Sequence, residues 1–333
     1  MAQGSGEPKE QPSSKPLKSR GRPFRPRPPT MSDSKSKTLM ADSHRSGFVG
    51  LLGPPNAGKS TLLNRLLGQK LAIVSPKPQT TRSRILGVLT RANSQLLLLD
   101  SPGRHVGKGS LNRSLNETVD GVIRDCDVAL VLLDPVRALE DLQRELCLQL
   151  ERAGKPYLLA ASKCDVFPRP IESPEGLATA DRPTRVHRFS ALTGEGVNEL
   201  IEAVVNYVPV SPPLYPEDEL TDRPVRWICA EMIREAVFES LQREIPYSMA
   251  VEVLEFDESR TDRVRIRANL LVERNSQKRI VVGRGGQGVK RIGIRARAGL
   301  QSFLGIRVDL QLFVKEDAKW AKSVRRLHEL GYD

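Results

Sequence analysis

The segment Gly53-Pro-Pro-Asn-Ala-Gly58-Lys59-Ser60 restricts the fold of this chain more than any other. It fits G-x-x-x-x-G-K-S/T, with an apolar strand predicted over 47–53 and a helix over 60–67, which is the setting the pattern requires. Glycines at such a turn let the backbone curl so that successive N–H groups converge on phosphate oxygens, beside the positive end of the helix. Gly53, Asn56, Ala57, Gly58 and Thr61 are the expected lining of this loop. Lys59 adds a cation for the β- and γ-phosphates, and Ser60 a hydroxyl for Mg2+. A chain carrying this element is committed to a strand–loop–helix unit within an α/β sheet.

Downstream, short apolar runs over 95–100, 128–134 and 157–162 have the length of buried strands. Segments of helical period, such as 140–153, lie between them. This alternation predicts a parallel sheet with helices on both faces over 47–208. Residues 209–224 are proline-rich and read as a linker. Residues 225–333 read as a separate α+β domain. Its order is a helix over 225–242, strands over 250–256 and 264–272, a glycine-rich turn, a helix over 287–304, a strand over 306–314 and a short last helix. Residues 1–46 are dominated by Pro, Ser, Lys and Arg and are expected to be disordered, since they hold too little apolar surface to offset ordering. They contain no apolar signal segment, and Glu7, Glu10, Asp33 and Asp42 argue against an organelle-targeting peptide. No run approaches about eighteen uncharged apolar residues, so no integral membrane segment is expected. Cys126, Cys147, Cys164 and Cys229 form no C-x-x-C pair and are expected to be free thiols in a reducing cytosol.

Further elements extend the nucleotide site. Asp100-Ser101-Pro102-Gly103 closes an apolar strand. Asp100 is placed to hold Mg2+ through water, and the Gly103 N–H to meet the γ-phosphate, so that loss of this phosphate would release the loop. Pro78-Gln79-Thr80-Thr81-Arg82 offers a threonine hydroxyl to Mg2+; the two neighbours leave the ligand open, with Thr81 favoured. Ser162-Lys163-Cys164-Asp165 follows the fourth strand. The Asp165 carboxylate can accept hydrogen bonds from guanine N1–H and N2–H2, donors that adenine lacks, so it selects GTP over ATP. Lys163 can lie along the base plane, and in Ser190-Ala191-Leu192 the Ala191 N–H can meet guanine O6. No side chain qualifies as a general base, so hydrolysis would rest on positioning and charge stabilisation.

Together these elements resemble those of the translation-factor-like small GTPases, and residues 47–333 as a whole resemble the bacterial Era family. The loop Pro78–Arg82, the linker Leu214-Tyr-Pro-Glu-Asp-Glu-Leu-Thr-Asp-Arg-Pro224 and the helix start Ala230-Glu-Met-Ile-Arg-Glu235 carry the resemblance. Two positions depart from it. Ser162 stands where the family has Asn, whose amide braces the phosphate loop and the base, and Arg104 stands where the family has an apolar residue. Asn56 matches the residue that ligates K+ in related GTPases lacking a catalytic Gln.

In the last domain Gly283-Arg284-Gly285-Gly286 has the form G-x-x-G, with a strand expected before it at Ile280 and a helix after it; it resembles the clamp loop of a KH domain. Charge supports that reading. The net +12 is uneven: residues 263–333 hold 17 Lys/Arg against 6 Asp/Glu, whereas 46–262 hold 25 against 30. Lys278, Arg279, Arg284, Lys290 and Arg291 crowd the loop, and no acidic residue occurs from Arg274 to Arg307. Ile292, Ala296 and Leu300 share one helical face and are assigned to the core. The expected order α-β-β-α-β resembles the type II KH fold. The resemblance therefore implies a Ras-like P-loop GTPase domain (α/β) followed by an α+β type II KH domain. It implies GTP/GDP and Mg2+ as ligands, with K+ as a candidate third. Its implied partners are the single-stranded 3′ end of small-subunit ribosomal RNA and the small ribosomal subunit. A cytoplasmic monomer is expected, with peripheral attachment to the inner membrane left open. The expected role is a GTP-hydrolysing switch in small-subunit maturation. The alternative is an RNA-binding protein whose nucleotide is mainly structural, with little turnover.

Overall fold

The computed structural model describes residues 44–75, 77, 80–103, 110–134, 141–167, 186–242 and 244–332. Residues 1–43 of the expected tail, Pro78, Gln79 and Arg104 lie outside them. The first domain is built from strands β1 (Arg45–Leu52), β2 (Ile85–Arg91), β3 (Ser94–Asp100), β4 (Val128–Leu133), β5 (Tyr157–Ala161) and β6 (Val186–Arg188). They form one sheet in the order β2-β3-β1-β4-β5-β6, parallel except for β2. Its helices are α1 (Lys59–Leu67), α2 (Ser110–Asp125), α3 (Asp141–Arg152) and α4 (Val197–Val205).

Strands β3 and β4 are buried along their whole length, which is why their sequences read as unbroken runs rather than alternating ones. The period of two is still visible in what each side chain meets. Leu96 and Leu98 join the cluster containing Leu62 of α1 and Leu200 of α4. Leu97 and Leu99 join the one containing Val122 of α2 and Leu146 of α3. The sequence reading missed β2 and β6. Strand β2 is antiparallel because only Ala92 and Asn93 separate it from β3, too few for a crossover. A Cβ at its Gly87 would lie 2.6 Å from Leu63 Cδ1, so glycine is what lets α1 pack close.

The second domain runs α5 (Val225–Ser240), a 3-10 turn (Ile245–Ser248), β7 (Met249–Asp257), β8 (Arg263–Val272), α6 (Asn275–Val282), α7 (Gln287–Leu304), β9 (Arg307–Glu316) and α8 (Val324–Glu329). Its sheet has the order β7-β8-β9, with β7 antiparallel and β9 parallel to β8. One expectation is corrected here. The residues before Gly283 form a helix, α6, not a strand, so the order is α-β-β-α-α-β. The β-branched run Ile280-Val281-Val282 suggests a strand, but Gln277 decides otherwise. Its Oε1 accepts from the backbone N–H groups of Glu273 and Arg274 at 2.9 and 3.0 Å, capping a helix that Gly283 ends at φ 70°.

Two boundaries shift as well. Arg45 and Ser46 belong to β1 rather than to the tail. The proline-rich linker is pinned to the sheet: the Leu214 and Tyr215 N–H groups donate to Gln95 Oε1 at 2.7 and 2.9 Å, and Val88 N–H donates to Leu220 O at 2.8 Å. No gap separates the domains. One apolar cluster runs from Leu51, Leu62 and Leu98 to Ile233, Val237 and Leu270.

Candidate functional site

The phosphate loop follows β1 and opens α1. Asn56 and Gly58 take positive φ (63° and 90°), and a Cβ at Gly53 would lie 2.6 Å from Leu132 O, so the loop lies tight against β4. Helix α1 has no side-chain cap, which leaves its first N–H groups facing the cleft lined by Asn56, Ser60, Thr61, Thr80, Thr81 and Gly103. Lys59 is buried, and its Nζ donates to Gly53 O and Pro54 O at 3.0 and 2.9 Å. Burial lowers its pKa to about 8, partly opposed by the Asp100 carboxylate. A polyanion in the cleft would reverse that shift.

Three oxygens converge beside the loop. Ser60 Oγ donates to Asp100 Oδ2 at 2.7 Å and lies 3.0 Å from Thr81 Oγ1. Asp100 is fully buried, and its Oδ1 has no hydrogen-bond partner. Burial raises its pKa to about 6, against the pull of Lys59 and the Ser60 hydroxyl. A buried carboxylate with an orphan oxygen, flanked by two hydroxyls, fits a hard divalent cation such as Mg2+. The neighbouring threonine points elsewhere: Thr80 Oγ1 donates to Lys77 O at 2.7 Å. Of the two candidates, Thr81 is therefore the one brought to Ser60. Gly103 packs against the phosphate loop, where a Cβ would lie 2.6 Å from Pro55 N.

At the base end, Ser162 is buried and donates to Leu133 O at 3.3 Å, so its hydroxyl is engaged with β4. Lys163 adopts φ 61° and its Nζ lies 3.4 Å from Asp134 Oδ2, a partner that sequence reasoning missed. Asp165 is exposed at the mouth. Ser190 shapes the opposite loop: its Oγ accepts from Thr193 N–H at 3.1 Å, and Arg65 donates to Leu192 O and Thr193 O. Ala191 is half-buried there, while Val166 and Leu192 leave exposed apolar surface at the two loop tips.

In the second domain Gly283, Gly285 and Gly286 all have positive φ. Nothing lies within 4 Å of a Cβ built at Gly285 or Gly286, whereas one at Gly283 would meet Gly288 N at 2.8 Å. The first glycine thus lets α6 and α7 approach, and the last two leave open backbone for a ligand. Arg279, Arg284, Lys290 and Arg291 are exposed around this turn, and Lys278 is half-buried. Ile292, Ala296 and Leu300 are core, as their spacing predicts. Exposed Ile280 adds an apolar surface beside the loop that charge-based reasoning passed over.

The comparisons place both sites in one family. A family model described as 50S ribosome-binding GTPase matches residues 48–163, and a KH domain model matches residues 244–321. GTPase Era of Geotalea uraniireducens is 41% identical over 291 residues, covering 87% of this chain and 98% of the relative. The chain belongs to the Era family of GTPases. Among solved structures, an Era–MgGDPNP complex with nucleotides 1506–1542 of 16S ribosomal RNA superposes with TM-score 0.80 at 34% identity, covering 87% of this chain and 99% of that one. An Aquifex aeolicus Era variant bound to GDP·AlF4− gives TM-score 0.79 at 33% identity, covering 86% and 99%. The two-domain arrangement, a Ras-like GTPase domain and a C-terminal KH domain, is thus that of Era over nearly its whole length.

The sequence reading also passed over what holds the segment before β2. Glu235 Oε1 accepts from Val74 N–H at 3.0 Å and pairs with Lys70. Lys77 Nζ donates to Phe238 O and Leu241 O at the end of α5, and Ser83 Oγ to Gly331 O at 2.8 Å. These partners all lie in the second domain, so the loop carrying Thr81 rests on it.

Proposed function

We propose that this Era-family GTPase grips the single-stranded 3′ end of small-subunit ribosomal RNA through its KH domain and uses GTP hydrolysis as a switch during small-subunit assembly in the cytoplasm. The convergence of Ser60, Thr81 and Asp100 beside the phosphate loop carries the reading, because it assembles a divalent-cation site only at a triphosphate-binding helix end. Mg2+ held there would neutralise charge on the β- and γ-phosphate oxygens. Lys59 and the N–H groups of the loop bind the same phosphates, Asp165 and Ala191 select guanine, and the Gly103 N–H meets the γ-phosphate. The RNA half rests on the open Gly285–Gly286 backbone among exposed Arg279, Arg284, Lys290 and Arg291, and on the Era structure solved with 16S ribosomal RNA nucleotides.

Crosslinking to RNA in cells, with sequencing of the crosslinked sites, tests the partner. Reads concentrated at the 3′ end of the small-subunit RNA are expected, and their absence there would overturn the assignment. Multiple-turnover phosphate release in vitro separates a switch from a protein whose nucleotide is only structural.

A further inference from the structure

Arg82 follows the threonine that meets Ser60, yet it points away from the nucleotide cleft into the KH domain. The residue is 2% exposed. It donates to Tyr247 O at 2.7 Å and to Met249 O at 2.8 Å, and its Cζ lies 5.7 Å from the ring centroids of both Trp320 and Tyr332. Its Nε has no hydrogen-bond partner. No carboxylate is hydrogen-bonded to it; burial and the like-charged Arg234 lower its pKa, while Glu231 and the Tyr332 side chain only partly oppose them. A buried cation with no directly bonded carboxylate is a poor source of stability.

The geometry on either side supplies a reason for the arginine. Arg234 donates to Thr80 O at 2.5 Å, and Ser83 Oγ donates to Gly331 O at 2.8 Å. Residues 80, 82 and 83 are therefore fixed to the KH domain, while the Thr81 hydroxyl between them lies 3.0 Å from Ser60 Oγ. A planar guanidinium bonded to two backbone carbonyls and set beside two adjacent rings, whose centroids are 6.3 Å apart, fixes the direction of the arginine and with it the backbone of its neighbour. We infer that Arg82 is a positioning residue for the cation site: the socket of Tyr247, Met249, Trp320 and Tyr332 holds it so that Thr81 is presented to Mg2+ before the cation arrives. This rests on the reading of Thr81 as a Mg2+ ligand.

The test is a double-mutant cycle on the full chain with Arg82→Met and Thr81→Ala, with Arg82→Lys as a milder variant should the methionine fail to fold. RNA titration and GDP affinity report that the fold is intact. The readouts are the Mg2+ concentration that half-maximally slows release of a fluorescent GDPNP, and Trp320 emission in a Trp227→Phe background. Arg82→Met should raise the Mg2+ requirement about tenfold, leave GDP affinity within about twofold, and lower kcat with little change in KM. Trp320 emission should shift to the red without nucleotide, as water reaches the ring. In the Thr81→Ala background, Arg82→Met should add nothing. Tyr332→Leu, a change on the KH side, should reproduce the Mg2+ effect more weakly. Multiplicative effects of the two substitutions, or equal losses of GDP and GDPNP affinity, would overturn the inference and leave Arg82 a structural residue. An unchanged Mg2+ requirement in Thr81→Ala alone would instead remove the assignment of Thr81, and the inference with it.

Discussion

Glu231→Gln should destabilise the protein more than any surface change, and the geometry sets the size of the loss. Glu231 and Arg234 lie three residues apart on α5, with side chains 8% and 1% exposed. The pair is bidentate: Arg234 Nε donates to Oε1 at 2.8 Å and Nη2 to Oε2 at 2.5 Å. Burial works against the arginine cation, but Glu231, with Tyr332 and Glu235 beside it, holds the Arg234 pKa above its ordinary value. Glutamine has the same length, yet it removes the countercharge and turns one acceptor into a donor aimed at the guanidinium. Breaking a buried pair from one side costs about 3–5 kcal/mol. The nearby Glu235 carboxylate still favours the charged arginine, which places the loss at the lower end, about 3 kcal/mol. In a chain of this size that corresponds to a fall in Tm of roughly 4–5 °C. Scanning calorimetry of the full chain measures it. The double variant Glu231→Leu/Arg234→Leu removes both charges and should recover most of the loss. A Tm within about 1 °C of the parent for Glu231→Gln would refute the claim that the pair is buried and coupled. A double variant less stable than the single would show that the pair is a net source of stability.

Other outcomes follow from the same geometry. Lys59→Ala should abolish GTP binding while leaving the thermal transition in place, since burial already disfavours this ammonium; unchanged turnover in a folded variant would remove the phosphate-loop assignment. Asp165→Asn should weaken GTP about ten- to hundredfold and favour xanthosine triphosphate, measured by competition, because a charged hydrogen-bond pair is worth roughly 1.5–3 kcal/mol. Arg284→Asp with Gly285→Asp should destroy binding to a short 3′-end RNA in anisotropy titrations and flatten its salt dependence, which for single strands is about −0.7 per phosphate neutralised. GTP turnover should survive, since both positions are exposed at a loop tip. Hydrolysis should run faster in K+ than in Na+ if Asn56 ligates a monovalent cation, and equal rates would exclude that role.

What could be read in advance was whatever local chemistry dictates. The phosphate loop, Asp100 and the G-x-x-G turn each need specific residue types at fixed spacing, and helix α7 was bounded to the residue by Gly286 and Gly305. Strand β2 was missed because Gly87 breaks its pattern for the sake of α1, a contact that exists only in three dimensions. Helix α6 was misread because Ile280-Val281-Val282 has the β-branched composition of a strand, while the Gln277 cap that decides the matter needs residues 273 and 274 placed beside it. The choice between Thr80 and Thr81 was open for a similar reason. Both are threonines in one loop, and only the folded loop shows which one turns to Ser60: the Thr80 hydroxyl donates to Lys77 O, while its carbonyl is held by Arg234, more than 150 residues away in sequence.

That anchoring changes how the two domains must be thought of. The sequence suggests two modules joined by a proline-rich linker over 209–224. The structure instead runs an unbroken set of contacts between the RNA loop and the cation site. Gln277, in the helix that ends at Gly283, donates from Nε2 to Ser248 Oγ at 2.9 Å. Ser248 lies between the two residues whose carbonyls hold Arg82, and Arg82 adjoins Thr81. Every member of this route is hydrogen-bonded, and much of it is buried, so a shift of the KH domain against the sheet cannot leave Thr81 in place unless several of these bonds break at once. The tether contributes to this by being short of freedom itself, held at Gln95 and Val88. A GTPase domain freed of the KH domain would therefore lose more than its RNA partner. It would expose the apolar surface shared by Leu71 and Ile233 and release the loop that carries Thr81.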